Sequence, residues 1–257
     1  MRLQSVELRV PDVGGTARFF AEVWGLVPAS ATRLRGSDAF PYLIGLEPGE
    51  PAIRSITFCG SQEEIGKERT VQGPEGVTYR LVVAAAVAPL PTALDRPIRL
   101  SHVVLNSVDA DAAERFAVES LGFKVSDRTR HMNFVRCERK HHCLAYARAG
   151  VSSLNHVAFD MQNVDAVMRG IGRLGDAGHA CVWGPGRHGP GNNVFAYFIG
   201  PHGGIVEYTA EVLEVGDDYR VGRPEDWKWP PGRIDHWGVS RKDTARTDAA
   251  ERAFTWC

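Results

Sequence analysis

Ser101-His102-Val103-Val104-Leu105-Asn106 is the stretch on which the fold turns. Apolar residues surround one histidine, polar residues follow, and Ala113, Phe116, Ala117 and Leu121 then recur at helical spacing before Gly122. Such a run predicts a strand followed by an amphipathic helix that closes on glycine. Asp109 and Asp111 stand at the start of that helix, where side-chain oxygens cap free N–H groups and negative charge meets the helix dipole. The chain opens on the same unit. Ser5-Val6-Glu7-Leu8-Arg9-Val10 is a strand, Ala17, Phe20, Val23 and Trp24 share a helical face, and Gly25 lies near its end. The unit recurs at Leu154-Asn155-His156-Val157-Ala158-Phe159-Asp160, with Val164, Val167, Met168, Ile171 and Leu174 marking the helix.

Short β-rich runs follow each helix of the C-terminal half. After the first come Phe123–Asp127, His131–Cys137 and Cys143–Arg148; after the second come Ala180–Trp183, Val194–Ile199 and Gly204–Thr209. Each unit reads β-α-β-β-β over about fifty residues. The N-terminal half is a weaker copy: Gly73-Pro74-Glu75-Gly76 matches Gly200-Pro201-His202-Gly203, and Ala52–Cys59 matches the strand around His156 with its following elements cut short. The expected class is α+β, with paired βαβββ modules forming two tandem barrel-like domains at 1–94 and 98–215. Ala88–Pro97, with Pro89, Pro91 and Pro97, reads as the linker. Residues 216–257 form a Trp/Pro-rich tail, read as wrapping the second barrel rather than closing over it as a lid.

Composition narrows the partners. The 257 residues are 44% hydrophobic and 24% charged, with a formal net charge of −1, so no basic footprint for nucleic acid or an anionic membrane is present. No apolar run approaches the roughly 20 residues that span a bilayer, and the first residues alternate like a strand rather than a signal peptide. Five scattered cysteines without a CxxC pair argue against a disulfide framework or a zinc-thiolate site. These features predict a cytoplasmic globular protein with a small-molecule partner, and the exposed sheet edges of such a fold predict a homo-oligomer.

Three residues stand out once placed on the repeat. His102 and His156 occupy the opening strands of successive units, 54 residues apart, and Glu207 lies on the closing strand of the second unit, 51 residues further on. Alone, each has an ordinary explanation: a histidine in an apolar strand is more often a hydrogen-bonded core residue, and Glu207 could point to solvent because strand faces alternate. Together, two imidazoles and one carboxylate leave open positions on an octahedral ion, the facial arrangement of non-haem Fe(II) sites that react with O2.

The C-terminal half resembles the type I extradiol ring-cleaving dioxygenases of the vicinal oxygen chelate superfamily. Three motifs carry the resemblance. Phe134-Val135-Arg136-Cys137-Glu138-Arg139-Lys140-His141-His142-Cys143-Leu144-Ala145-Tyr146 is similar to the family's strand, turn and His-His-x-Leu-Ala pattern, and Leu154–Phe159 to its second metal-histidine strand. Gly184-Pro185-Gly186-Arg187-His188-Gly189, Tyr197-Phe198, Gly200-Pro201 and Glu207-Tyr208 are similar to its closing signature. The match runs from about Leu100 to Glu211. It implies the vicinal oxygen chelate fold, with His102, His156 and Glu207 as ligands of Fe(II), or alternatively Mn(II). It implies His142 as acid/base beside the O2 position, and His188 and Tyr197 as hydrogen-bond partners of a catechol that is cleaved with O2.

The chain departs from that family in two places. The N-terminal half has no ligand residues: Val6 is expected where His102 stands, Ser55 where His156 stands and Arg80 roughly where Glu207 stands. The loop after His188 reads Gly189-Pro190-Gly191-Asn192-Asn193, where relatives carry a histidine or an acid. Asn192 is taken as its substrate-binding replacement, with Asn193 the alternative. His131, His179, His202 and His236 lack motif support and read as structural or surface residues. Two other readings stay open: a non-oxidative metal-dependent lyase or isomerase on the same scaffold, and a metal-free small-molecule binding protein. The retained His142, His188 and Tyr197 favour ring cleavage over the first, and the three ligand-type residues argue against the second.

Overall fold

The computed structural model describes residues 1–85 and 87–256, and Cys257 lies outside them. The N-terminal half builds β1 (Arg2–Val10), α1 (Val13–Arg18, continuing as a wider helical turn through Trp24), β2 (Val27–Pro28), β3 (Arg33–Arg35) and β4 (Ile44–Pro48). It continues with β5 (Ala52–Gly60), α2 (Gln62–Ile65), β6 (Arg69–Gln72) and β7 (Thr78–Val83). The C-terminal half builds β8 (Arg99–Ser107), α3 (Ala110–Leu121), β9 (Lys124–Arg128), β10 (Met132–Arg136) and β11 (Leu144–Arg148). Then come β12 (Ser153–Asp160), α4 (Val164–Asp176), β13 (Trp183–Arg187), β14 (Val194–Ile199) and β15 (Ile205–Ala210). The tail ends in α5 (Thr244–Ala253) and β16 (Thr255–Trp256).

Each half is one mixed sheet. The first runs β2-β3-β4-β1-β5-β7-β6 and the second β13-β14-β15-β12-β8-β11-β10-β9. The centres correspond: β1 and β8 each pair in parallel with the last strand of their own unit and antiparallel with the first strand of the next. These are paired βαβββ modules. The second N-terminal unit is the short one, with a four-residue helix and only β6 and β7 after it.

The register corrects one expected equivalence. Ser5 pairs with Thr57, which pairs with Arg80; His102 pairs with Ala158, which pairs with Glu207. Ser5, not Val6, therefore stands at the position of His102, while Ser55 and Arg80 hold the expected places. Both sheets carry the same bulge, between Leu3 and Ser5 and between Leu100 and His102, so Leu3-Gln4-Ser5 matches Leu100-Ser101-His102 and the matching of Ser5 to Ser101 was one residue out. The strand expected at Ala180–Trp183 also lies later, at Trp183–Arg187. Pairing there skips from Trp183 to Gly186 on the sheet edge, where a proline is tolerated.

Helix ends follow the local chemistry. Asp12, Asp109 and Asn163 accept the N–H three residues on, and Gly25 and Gly122 close their helices with positive φ. The two halves share one core. Trp24 stacks on Tyr208 of the other half at 3.8 Å between centroids, and Phe123 packs edge-on against Phe58 at 4.8 Å. Each half thus lends a helical segment to its neighbour's sheet.

The tail is more structured than its composition predicts. Gly222 bridges to Asp127 on β9, the Asp243 N–H reaches Val182, and α5 packs on β12. β16 then joins the first sheet beside β5. Among the described residues no helix is long and apolar enough to cross a membrane, and Cys59, Cys137, Cys143 and Cys181 form no disulfides.

Candidate metal centre

Strand alternation decides which side chains of the second sheet face away from the main core. Val103, Leu105, Val157, Phe159, Val206 and Tyr208 belong to the main core, so His102, His156 and Glu207 point to the opposite face. All three are buried, and Glu207 is 0% exposed, which removes the solvent-facing alternative. His102 Nε2 lies 3.1 Å and His156 Nε2 3.0 Å from Glu207 Oε2, with 3.4 Å between the two Nε2 atoms. One donor atom from each residue lies within 4.8 Å of the others.

The donor set fits a divalent ion. Metal bonds of about 2.0–2.2 Å from nitrogen and oxygen would set cis donors about 3 Å apart. The outer nitrogens agree as well: His156 Nδ1 faces Asn155 Oδ1 at 2.7 Å and His102 Nδ1 faces Ser101 Oγ at 3.3 Å. A ring that donates from Nδ1 presents its Nε2 lone pair to an ion. Burial pushes His156 below the usual histidine range despite the attraction of Glu207, which favours the neutral imidazole a ligand must be. Burial alone would raise Glu207, but the adjacent His102 and His156 rings leave it well below the carboxylate range. Three donors, joined by no fourth histidine, cysteine or carboxylate among the described residues, leave room for external ligands.

The other expected residues ring this triad. His142 is buried with its ring centroid 4.3 Å from that of His102; burial and the surrounding histidines hold it well below its ordinary range. Tyr197 packs on His156 at 4.9 Å between centroids, and its hydroxyl meets His188 Nε2 at 2.9 Å. Burial and the charge of Glu207 push the Tyr197 phenol up, and burial lowers His188 to about 4. Trp183 stacks on Tyr197 and Phe134 packs on His142, walling the site with apolar rings.

Asn192 does not join them. Its side chain is exposed on a positive-φ turn, where asparagine is among the residues that tolerate the conformation. Asn193 is the buried one, and its Nδ2 donates to Thr209 Oγ1 at 2.8 Å and to Glu207 Oε1 at 3.4 Å. Alternation along a strand would have separated the two, but the turn gave no periodic signal. Sequence reasoning also missed Asp127 and His141. Both are fully buried, and His141 contacts His142. The only signal was the doublet His141-His142 itself.

Residues 99–208 match the model of the Glyoxalase/Bleomycin resistance protein/Dioxygenase superfamily. Among curated proteins, Metapyrocatechase 2 of Cupriavidus necator is 33% identical over 139 residues, which is 53% of this chain and 41% of that protein. The chain thus spans about two fifths of that relative's length. Among solved structures, the Mn(II)-bound glyoxalase from Novosphingobium aromaticivorans is 29% identical, with a TM-score of 0.83 over 95% of this chain and 93% of that one. BphC, a halotolerant catechol dioxygenase, is 19% identical and shares the fold, with a TM-score of 0.81 over 97% of both chains. The chain therefore shares the fold of these structures, built here from tandem paired βαβββ modules, and the superfamily match covers the pair of modules that carries the triad.

Proposed function

We propose that the protein is an extradiol dioxygenase that opens a catechol ring beside its hydroxyl groups and incorporates both atoms of O2. The observation that carries this reading is the set of buried His142 and Tyr197 and half-buried His188 gathered around the His102–His156–Glu207 triad. A bound ion, Fe(II) in this proposal with Mn(II) as the alternative, would supply a Lewis-acid seat for the two catechol oxygens and access to O2. His142, held as a neutral imidazole, takes a proton from the substrate and returns one where the O–O bond must break. His188 and Tyr197, already paired through Nε2 and hydroxyl, orient the substrate oxygens by hydrogen bonds. Trp183 and Phe134 keep the reacting groups out of bulk water, which strengthens each polar contact inside.

The glyoxalase likeness favours a second reading, a non-oxidative metal-dependent isomerase or lyase. Such an enzyme has no need of O2. Fe(II)-reconstituted protein mixed with a panel of catechols in air separates the two. The dioxygenase consumes O2 and yields a yellow ring-opened product. Stoichiometric metal without O2 uptake on any catechol sinks that reading and leaves the second. His156→Ala loses metal retention, whereas His142→Ala keeps metal and slows turnover about 100-fold or more.

A further inference from the structure

His141 has no part in the chemistry above, yet it is fully buried and bonded at both nitrogens. Its Nε2 lies 2.5 Å from Asp127 Oδ2, and its Nδ1 lies 3.0 Å from His142 Nδ1. Asp127 is itself fully enclosed. Its Oδ1 accepts the Gly222 N–H at 2.7 Å, and the Tyr219 hydroxyl donates to the carboxylate at 3.2–3.3 Å. A buried carboxylate is expensive unless hydrogen-bonded, and this one is held by donors from β11's approach and from the tail.

With both rings neutral, the donor inventory assigns the protons. Asp127 accepts on the side facing His141, so His141 Nε2 carries a hydrogen. A neutral imidazole has one N–H, so His141 Nδ1 then holds a lone pair. The 3.0 Å contact between the two Nδ1 atoms needs one hydrogen, and it must belong to His142. That leaves the Nε2 of His142, whose ring centroid lies 4.3 Å from that of His102, with a lone pair. We propose that Asp127 and His141 are positioning residues that lock His142 in its Nδ1–H form, so that Nε2 serves as the proton acceptor for the bound substrate. The tail completes the lock: a Cβ at position 222 would stand 2.4 Å from Asp127 Oδ1, so Gly222 is required for the close approach of its N–H. The identity of the proton that Nε2 accepts rests on the dioxygenase reading; the tautomer does not.

Asp127→Asn tests the lock directly. The Gly222 N–H demands an oxygen, so the introduced amide must turn its NH2 towards His141 Nε2. That reverses the hydrogen between the two rings and moves the His142 proton to Nε2, the same logic by which an aspartate-to-asparagine change traps a catalytic histidine in the wrong tautomer. Full-length protein with 15N-labelled histidine and Zn(II) at the centre is read at pH 8 by long-range 1H–15N correlation, with His142→Gln assigning the signals. Wild type should show the Nδ1–H form and Asp127→Asn the Nε2–H form. His141→Gln, which reaches Asp127 but offers nothing at the Nδ1 position, should lose the single form. His141→Asn, whose amide can stand at that position, should restore it in part. On the Fe(II) protein, Asp127→Asn should lower kcat by about 100-fold or more with KM and metal content unchanged. A wild-type His142 protonated at Nε2, or an Nδ1–H form that persists in either Asp127→Asn or His141→Gln, overturns the proposal. Absence of O2 uptake by wild type would defeat the dioxygenase reading instead and leave the tautomer result standing.

Discussion

Asn155 accepts the Nδ1–H of His156 at 2.7 Å, and its own Nδ2 donates to Asn106 Oδ1 at 2.9 Å. Asn106 continues the chain to Ser153 Oγ at 3.0 Å and to Glu251 of α5 at 3.2 Å. The ring of His156 is therefore aimed by a sequence of amides that ends outside its own sheet. Replacing an outer partner of a ligating histidine typically weakens metal binding about 10- to 100-fold. Asn155→Ala should show about that loss in calorimetric titration with Mn(II), without a change in fold. A loss under about threefold would mean that Asn155 does not orient His156 for the metal. His102, His156 and Glu207 were legible because they occupy repeat-related places in successive units. Asn155 was not, since an asparagine next to a histidine leaves no periodic or repeat signal.

At the scale of elements, the succession of strands and helices in each unit followed from repetition, but registers did not. Ser5 took the position expected of Val6 because two serines invited a match that strand pairing places one residue away. Trp183–Arg187 hid as a turn because glycine and proline at a sheet edge look alike in a strand and in a loop. The turn between β14 and β15 holds another residue whose surroundings the sequence did not announce. His202 is 5% exposed and set among Phe19, Phe20 and Phe254, and its Nδ1 has no partner. Burial lowers it to about 4. The unfolded chain, with an ordinary histidine near 6.5, binds this proton first as pH falls. Stability from His202 is thus complete above pH 6.5 and is lost as pH falls towards 4. Between pH 7 and pH 5 the loss is about 2 kcal/mol at one unit per 1.36 kcal/mol. Urea unfolding of metal-free wild type and His202→Phe at both pH values should show a decline smaller by that amount in the variant. Equal declines would mean that the ring is hydrated or paired in solution.

Across the whole molecule, the tail converts two neighbouring sheets into one cooperative body. β16 extends the first sheet, α5 rests on β12 and β15 of the second, and Phe254 between them is 0% exposed. The Leu154 N–H donates to the Phe254 carbonyl at 2.9 Å, and the Phe254 ring meets His202 at 5.9 Å between centroids. Composition marked this stretch as polar and without pattern, because its few apolar contacts are long-range and carry no helical or strand period. Truncating a buried phenylalanine costs about 3–5 kcal/mol through lost transfer energy and the cavity left behind. Phe254→Ala should therefore lower stability by about that amount in urea. Since the core runs through both halves, Trp24 fluorescence at their contact and a spectroscopic probe of the metal centre should shift to the same lower midpoint. Trp229→Ala, at a side chain 37% exposed, provides the comparison and should stay within about 0.5 kcal/mol of wild type. If Phe254→Ala moved the metal-centre transition while the Trp24 signal kept its midpoint, the tail would be an attachment of the second sheet alone rather than the closure of a single fold.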